Sequence, residues 1–181
     1  MAVSKKTNVL WEGKPGPAAG RRNKANRPEW DEYFLKLAML VAERSTCRRH
    51  HVGAVVVRDR HVIATGYNGA PAGMKDCLEL GCLRDELGIA SGTRHEICRA
   101  IHAEQNAIIQ TARHGGGIEG ATIYCTHTPC VLCAKMLVNC GIVRFVTFSE
   151  YADDSFLKLF EAKSIEFVRR KRPIAQISVK E

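Results

Sequence analysis

Apolar residues change period several times along this chain. Trp30, Phe34, Leu37, Leu40 and Val41 recur at steps of three and four, which predicts one helix face over about 29–44. Two short runs rich in β-branched residues follow, 52–57 and 61–65. They flank the polar turn Arg58-Asp59-Arg60, the pattern of a hairpin. Gly66, Gly69, Pro71 and Gly73 mark a loop, and periodicity stays weak as far as Cys98. A stretch that long without an apolar pattern needs its own source of order. The helical period returns over 102–114 with Ala103, Ala107, Ile108 and Ala112, and Gly115-Gly116-Gly117 ends it. Beyond it come a strand at 121–125, a helix from Pro129 to about Cys140, a strand at 142–148, a helix over about 153–163 and a last strand at 165–168. This order predicts a mixed sheet with helices on both faces, an α/β fold.

Composition bounds the rest. At 181 residues the chain suits one domain with an ordinary core, and its apolar fraction excludes disorder throughout. No stretch approaches the ~18 apolar residues of a membrane span, and the N-terminal residues lack the apolar run of a secretory signal. A net charge of +8 invites a nucleic-acid reading until it is mapped. Residues 1–28 carry net +6 and residues 169–181 net +4, so the body, 29–168, is at −2. We therefore read a flexible basic arm at 1–28, a catalytic domain at 29–168 with an insertion at about 66–100, and a basic tail at 169–181. Eight cysteines without a secretory signal suit a reducing compartment such as the cytoplasm. There they act as metal ligands, catalytic thiols or buried small residues.

One constellation carries chemistry. His102-Ala103-Glu104 opens a predicted helix, and Pro129-Cys130-Val131-Leu132-Cys133 opens the next. Cysteines three apart at a helical first turn share a face, and the helix N-terminus favours their thiolates. His102 supplies a third donor. Two Cys and one His suit zinc, and three protein ligands leave a fourth position for water, the mark of a catalytic rather than a closed site. Glu104 is near enough in sequence to move that water's proton. Either half of the pattern alone would fit a redox pair or half of a structural zinc site; together they are specific. Cys125 and Cys140 read as buried structural residues.

The motif H-x-E…P-C-x-x-C is the signature of zinc-dependent nucleobase deaminases. The segments Arg44-Ser45-Thr46-Cys47-Arg48-Arg49, Thr65-Gly66-Tyr67-Asn68-Gly69-Ala70-Pro71 and Ile101-His102-Ala103-Glu104-Gln105-Asn106 narrow it. Over 29–168 the chain resembles deoxycytidylate (dCMP) deaminases, including the competence-operon type. That resemblance implies a three-layer cytidine-deaminase-like fold with a five-stranded mixed sheet, and hydrolysis of dCMP to dUMP and ammonia. It implies proton transfer by Glu104, a base contact from the Ala103 N–H, a deoxyribose contact from Asn68 and a phosphate contact from Arg49. One departure is Thr126-His127-Thr128 before Pro129, where the family commonly has Thr-Leu-Ser. Some family members carry a second, structural zinc. Here the matching candidates are Cys47, Cys77, His95 and Cys98, with Cys82 in reserve. The family further implies a homo-oligomer, commonly a hexamer, with dCTP and dTTP as effectors and Mg2+ on the nucleotide; Arg113 and Gly69 fall at positions tied to regulation.

Two other readings compete. One is a tRNA or other nucleobase deaminase gripping phosphates with the basic tails. The acidic body and the lack of aromatics interleaved with the basic residues speak against it. The other is a non-catalytic DNA-uptake or binding protein on the same scaffold, which the intact His102, Glu104, Cys130 and Cys133 argue against.

Overall fold

A computed structural model describes residues 27–151 and 154–174. Most of the predicted basic arm and residues 175–181 of the tail lie outside them. Six α-helices, α1 (Trp30–Ala42), α2 (Cys77–Leu80), α3 (Leu83–Glu86), α4 (Ala103–His114), α5 (Val131–Asn139) and α6 (Phe156–Ala162), accompany five strands. The strands are β1 (Gly53–Arg58), β2 (His61–Tyr67), β3 (Thr122–Cys125), β4 (Arg144–Thr147) and β5 (Glu166–Arg169). They form one sheet in the order β2-β1-β3-β4-β5. β1 is antiparallel to both neighbours, whereas β3, β4 and β5 run parallel. This is the five-stranded mixed sheet predicted. Among the described residues no helix is long and apolar enough to cross a membrane.

Alternation along the strands divides the core into two layers. Val55, Val57, Tyr124 and Val146 face α1 and pack on Phe34, Leu35 and Ala38. Ala54, Val56, Ile123 and Phe145 point the other way, onto Ala103 and Ala107 of α4, Ala134 and Leu137 of α5, and Phe156 and Phe160 of α6. The hairpin turn between β1 and β2 holds Asp59 and Arg60 at positive φ, 51° and 64°, as a two-residue primed turn demands.

Two glycines set how closely helices approach the sheet. A Cβ on Gly53 would meet the Ala38 carbonyl oxygen at 2.1 Å, and one on Gly66 would meet the Ala103 carbonyl oxygen at 2.2 Å and the Ala107 nitrogen at 2.4 Å. The second contact matters more, because it seats the first turn of α4 against β2. The weakly patterned insertion folds as α2, α3 and a 3-10 turn at His95–Ile97. It gains order from polar caps more than from apolar packing. Asp76 accepts hydrogen bonds from the Leu78 and Glu79 amides, at 2.8 and 3.2 Å, in a capping box.

A charge network fixes α1 on the sheet. Asp31 accepts a bidentate pair from Arg144 of β4, at 2.7 and 2.9 Å. It also accepts from the Tyr124 hydroxyl at 3.0 Å and from Arg170 at 2.6 and 2.9 Å. These bonds, the one to Arg144 foremost, hold the Asp31 carboxyl far below the usual aspartate range.

A group whose folded pKa is depressed stabilises the fold above its unfolded pKa and loses that contribution as pH falls. Asp31→Asn should therefore cost about 2 kcal/mol at pH 7 in urea unfolding. The gap to the parent chain should hold at neutral pH and close as pH drops below the ordinary aspartate pKa. Gly66→Ala should cost about 3 kcal/mol by the same measurement, because the new methyl group has only backbone to displace.

Candidate active site

Two helix N-termini meet at the carboxyl end of β3, the edge where open α/β sheets bind ligands. His102 is the N-cap of α4, extended at φ −71° and ψ 157°, and its N–H donates to Gln105 Oε1 at 3.0 Å. Cys130 is the N-cap of α5, extended at φ −70° and ψ 164°, and Cys133 lies in that helix's first turn. Each helix starts at a residue that the motif singles out, so both positive dipole ends converge there.

His102 Nδ1 lies 3.5 Å from Cys130 Sγ and 3.4 Å from Cys133 Sγ. Among the described residues this is the single trio of metal-capable side chains whose donor atoms fall within 4.8 Å of one another. A tetrahedral zinc with ordinary Zn–N and Zn–S bonds sets N···S edges of roughly 3.6 Å, so the trio fits that ion. The chemistry of the donors agrees. A hydrogen bond from the Cys133 thiol, followed by the contact with His102, holds Cys130 down to about 4, while donating that bond to Cys130, then burial, pushes Cys133 up. Glu104 is 4% exposed, one residue into α4, and burial raises its pKa despite the nearby His102.

His102, Cys130 and Glu104 line a cleft, and Cys133 lies fully buried behind it. Ala103, Asn68 and Arg49 border the same cleft, so the structure gathers all three expected substrate contacts around it. Two of these side chains are already heavily engaged. Asn68 Nδ2 donates to the His50 carbonyl at 2.7 Å, while its Oδ1 accepts from Ser45 Oγ at 2.6 Å and the Val52 amide at 2.9 Å. It thus shapes the 45–52 loop as well as the cleft. Arg49 is bound to Asp85 at 2.6 Å and to the Ile89 carbonyl at 2.7 Å.

The closed four-ligand set expected of Cys47, Cys77, His95 and Cys98 is not assembled in that form. The His95 ring lies 5.0 Å from that of His102, and its Nε2 is 3.2 Å from the Tyr151 hydroxyl. Cys47, Cys77, Cys98 and the reserve, Cys82, all border the cleft, but among the described residues they do not form a closed donor group. Burial first, then the charges of those three neighbours, push the Cys77 thiol up to about 11. The two effector candidates are not brought together either. Gly69 is buried, paired by two backbone hydrogen bonds with Ile101 ahead of α4, whereas Arg113 is exposed in the last turn of that helix. Cys125 is fully buried in β3, and Cys140, at the end of α5, is half-buried.

Sequence reading missed three residues that line the cleft, His50, Arg84 and Tyr151. Tyr151 ties three segments together. Its hydroxyl accepts from the Gly92 amide at 3.1 Å, and its own amide donates to Thr128 Oγ1 at 2.7 Å, just before the Pro-Cys motif. None of the three sits in a periodic pattern or a spaced motif, so only a charged or aromatic residue beside a motif could have hinted at them.

Comparison with known proteins agrees with this geometry. Residues 28–149 match the family model of the cytidine and deoxycytidylate deaminase zinc-binding region. The deoxycytidylate deaminase of Schizosaccharomyces pombe is 41% identical over 129 residues, covering 71% of this chain and 40% of that protein, so this chain spans under half of that relative's length. The deoxycytidylate deaminase of Mycobacterium phage D29 is 45% identical over 126 residues, which cover 67% of this chain and 95% of that one. Among solved structures, the dCMP deaminase of cyanophage S-TIM5 in complex with dCMP and dUMP aligns with a TM-score of 0.68 at 32% identity, over 80% of this chain and 98% of the other. The trio of zinc donors, the adjoining buried glutamate and these alignments have one common account: the chain belongs to the cytidine and deoxycytidylate deaminase family.

Proposed function

We propose that this chain deaminates dCMP hydrolytically, giving dUMP and ammonia and so supplying dUMP for thymidylate synthesis. The observation that carries the reading is the burial of Glu104 beside the His102–Cys130–Cys133 trio, at one side of a cleft that Arg49 also borders. Zinc held by the trio would supply Lewis-acid activation of a water, bringing its pKa toward neutrality. Glu104 accepts that water's proton on its carboxylate and hands it to ring N3 of the cytosine. As the water oxygen bonds to carbon 4, Glu104 takes the remaining proton of that new hydroxyl and delivers it to the amine, which leaves as ammonia while the carbon 4 carbonyl forms. Ala103 is the first residue of α4, where backbone N–H groups have no intrahelical acceptor, and its N–H is the proposed donor to the base carbonyl. The Nδ2 hydrogen of Asn68 not committed to His50 is the proposed contact to the deoxyribose. Burial of the base under Tyr151 and the insertion would keep bulk water from the proton transfers.

A second zinc is part of the proposal. Its candidate ligands are Cys47, Cys77 and Cys98 with His95, Cys82 standing in reserve, and its role is to staple an insertion with little apolar core. Four cysteines border one cleft wall, and burial first, then its cysteine neighbours, disfavours the Cys77 thiolate unless a cation is bound beside it. Assembly as a homo-oligomer, hexameric by the family's habit, response to dCTP and dTTP with Mg2+ on the nucleotide, and a cytoplasmic location are proposals that rest on the resemblance. The eight free cysteines accord with a reducing compartment.

Ammonia release from dCMP, deoxycytidine, CMP and a tRNA anticodon hairpin tests the reading. dCMP should be the preferred substrate; preference for the hairpin, with steep salt dependence, would replace it by nucleic-acid deamination, and no activity on any of them would favour the binding protein. Glu104→Gln should lower kcat at least about 10³-fold while metal analysis finds its zinc retained. The parent chain should carry about two zinc ions, and Cys77→Ser about one; a parent value of one would remove the second site.

A further inference from the structure

Arg84 is a cation enclosed in the cleft without a counter-ion. It sits in α3 at 5% exposure. Its Nη2 donates to the Ala90 carbonyl at 2.8 Å, and its Nε is buried with no partner. Among the described residues no carboxylate lies within ion-pair distance of it. Glu104, the one acidic residue lining the cleft, has its electrostatic counterpart in His102. Burying an unpaired guanidinium is costly, and an anion entering the cleft would supply the balancing charge.

The second cation there differs. Arg49 is already neutralised by Asp85, yet its Nη1 is buried and unpartnered. One short segment orients both groups. Asp85 and the Ile89 carbonyl hold Arg49, the Ala90 carbonyl holds Arg84, and the Ile89 amide closes the loop onto the Arg84 carbonyl at 2.8 Å. The joint field reaches His50 on the same wall, whose protonation is disfavoured by burial and then by Arg49 and Arg84. Planar guanidinium groups with free N–H donors are the standard match for phosphate oxygens.

We infer that Arg84 is a specificity-determining residue that receives the 5′-phosphate of the nucleotide, with Arg49 Nη1 as a second donor, so that residues 84–90 of the insertion make the enzyme select a nucleotide over the bare nucleoside. This rests on the dCMP reading above. The family resemblance implies a phosphate contact from Arg49 alone. The structure shifts the uncompensated charge to its insertion neighbour.

The test uses the zinc-loaded full chain, Arg84→Gln and Arg84→Lys, with dCMP and deoxycytidine as substrates. Glutamine keeps a donor for the Ala90 carbonyl and so preserves the local fold while deleting the charge. In Arg84→Gln, KM for dCMP should rise roughly 10²-fold, with kcat far less affected. The ratio of kcat/KM for dCMP over deoxycytidine should fall by a similar factor, and Arg84→Lys should recover part of it. An unchanged ratio in Arg84→Gln overturns the inference, as does a parallel loss on both substrates, the signature of a merely structural role. Calorimetry with dUMP and deoxyuridine gives a readout independent of turnover. The parent should bind dUMP more tightly, and Arg84→Gln should lose most of that difference; a parent that binds both alike also overturns the inference. Failure of the dCMP reading looks different, because the parent would then deaminate neither substrate.

Discussion

Everything at the catalytic edge depends on how closely α4 can lie on the sheet. Gly66 has no side chain, and the Ala103 and Ala107 side chains opposite it are a single methyl each, so helix backbone rests almost directly on strand backbone. That contact sets the height of His102 and Glu104 above β3. α5, which packs against the same face of the sheet through Ala134 and Leu137, brings Cys130 and Cys133 to meet them. Two helix N-termini aimed at one point would repel a cation but stabilise thiolates and a carboxylate. A zinc ion reconciles the two, since its ligands bring the negative charge that the dipoles favour.

The insertion obeys different physics. Residues 66–100 bury few large apolar side chains, and their order comes from a capping box, arginine-to-carbonyl bonds and Tyr151. Polar scaffolds of this kind are expensive unless every group is satisfied. Here Arg49, Arg84 and Arg99 each keep a buried nitrogen without a partner. The first two face the cleft, so the incompleteness falls where a ligand can make it good. Stability and recognition are linked in this segment, because Asp85, Ile89 and Ala90 both fold the loop and aim the cations.

What the sequence determined by itself was whatever has a period or a fixed spacing. Alternation and three-four steps marked all five strands and the four longer helices to within a few residues, because burying one face of each element leaves a regular trace. His102, Glu104, Cys130 and Cys133 were legible for a related reason. Their geometry is local to two helix starts, so spacing along the chain stands in for distance in space. The tertiary structure alone decided the rest. That Cys82 borders the cleft beside Cys47, Cys77 and Cys98 depends on how the insertion folds, which no pattern announces. That Asn68 is spent largely on the 45–52 loop, and that Arg84 is buried without a counter-ion, depends on segments far apart in the chain packing around one cleft. A charged side chain looks the same in sequence whether water or protein surrounds it, and only the packed structure sets its dielectric surroundings and hence its chemistry.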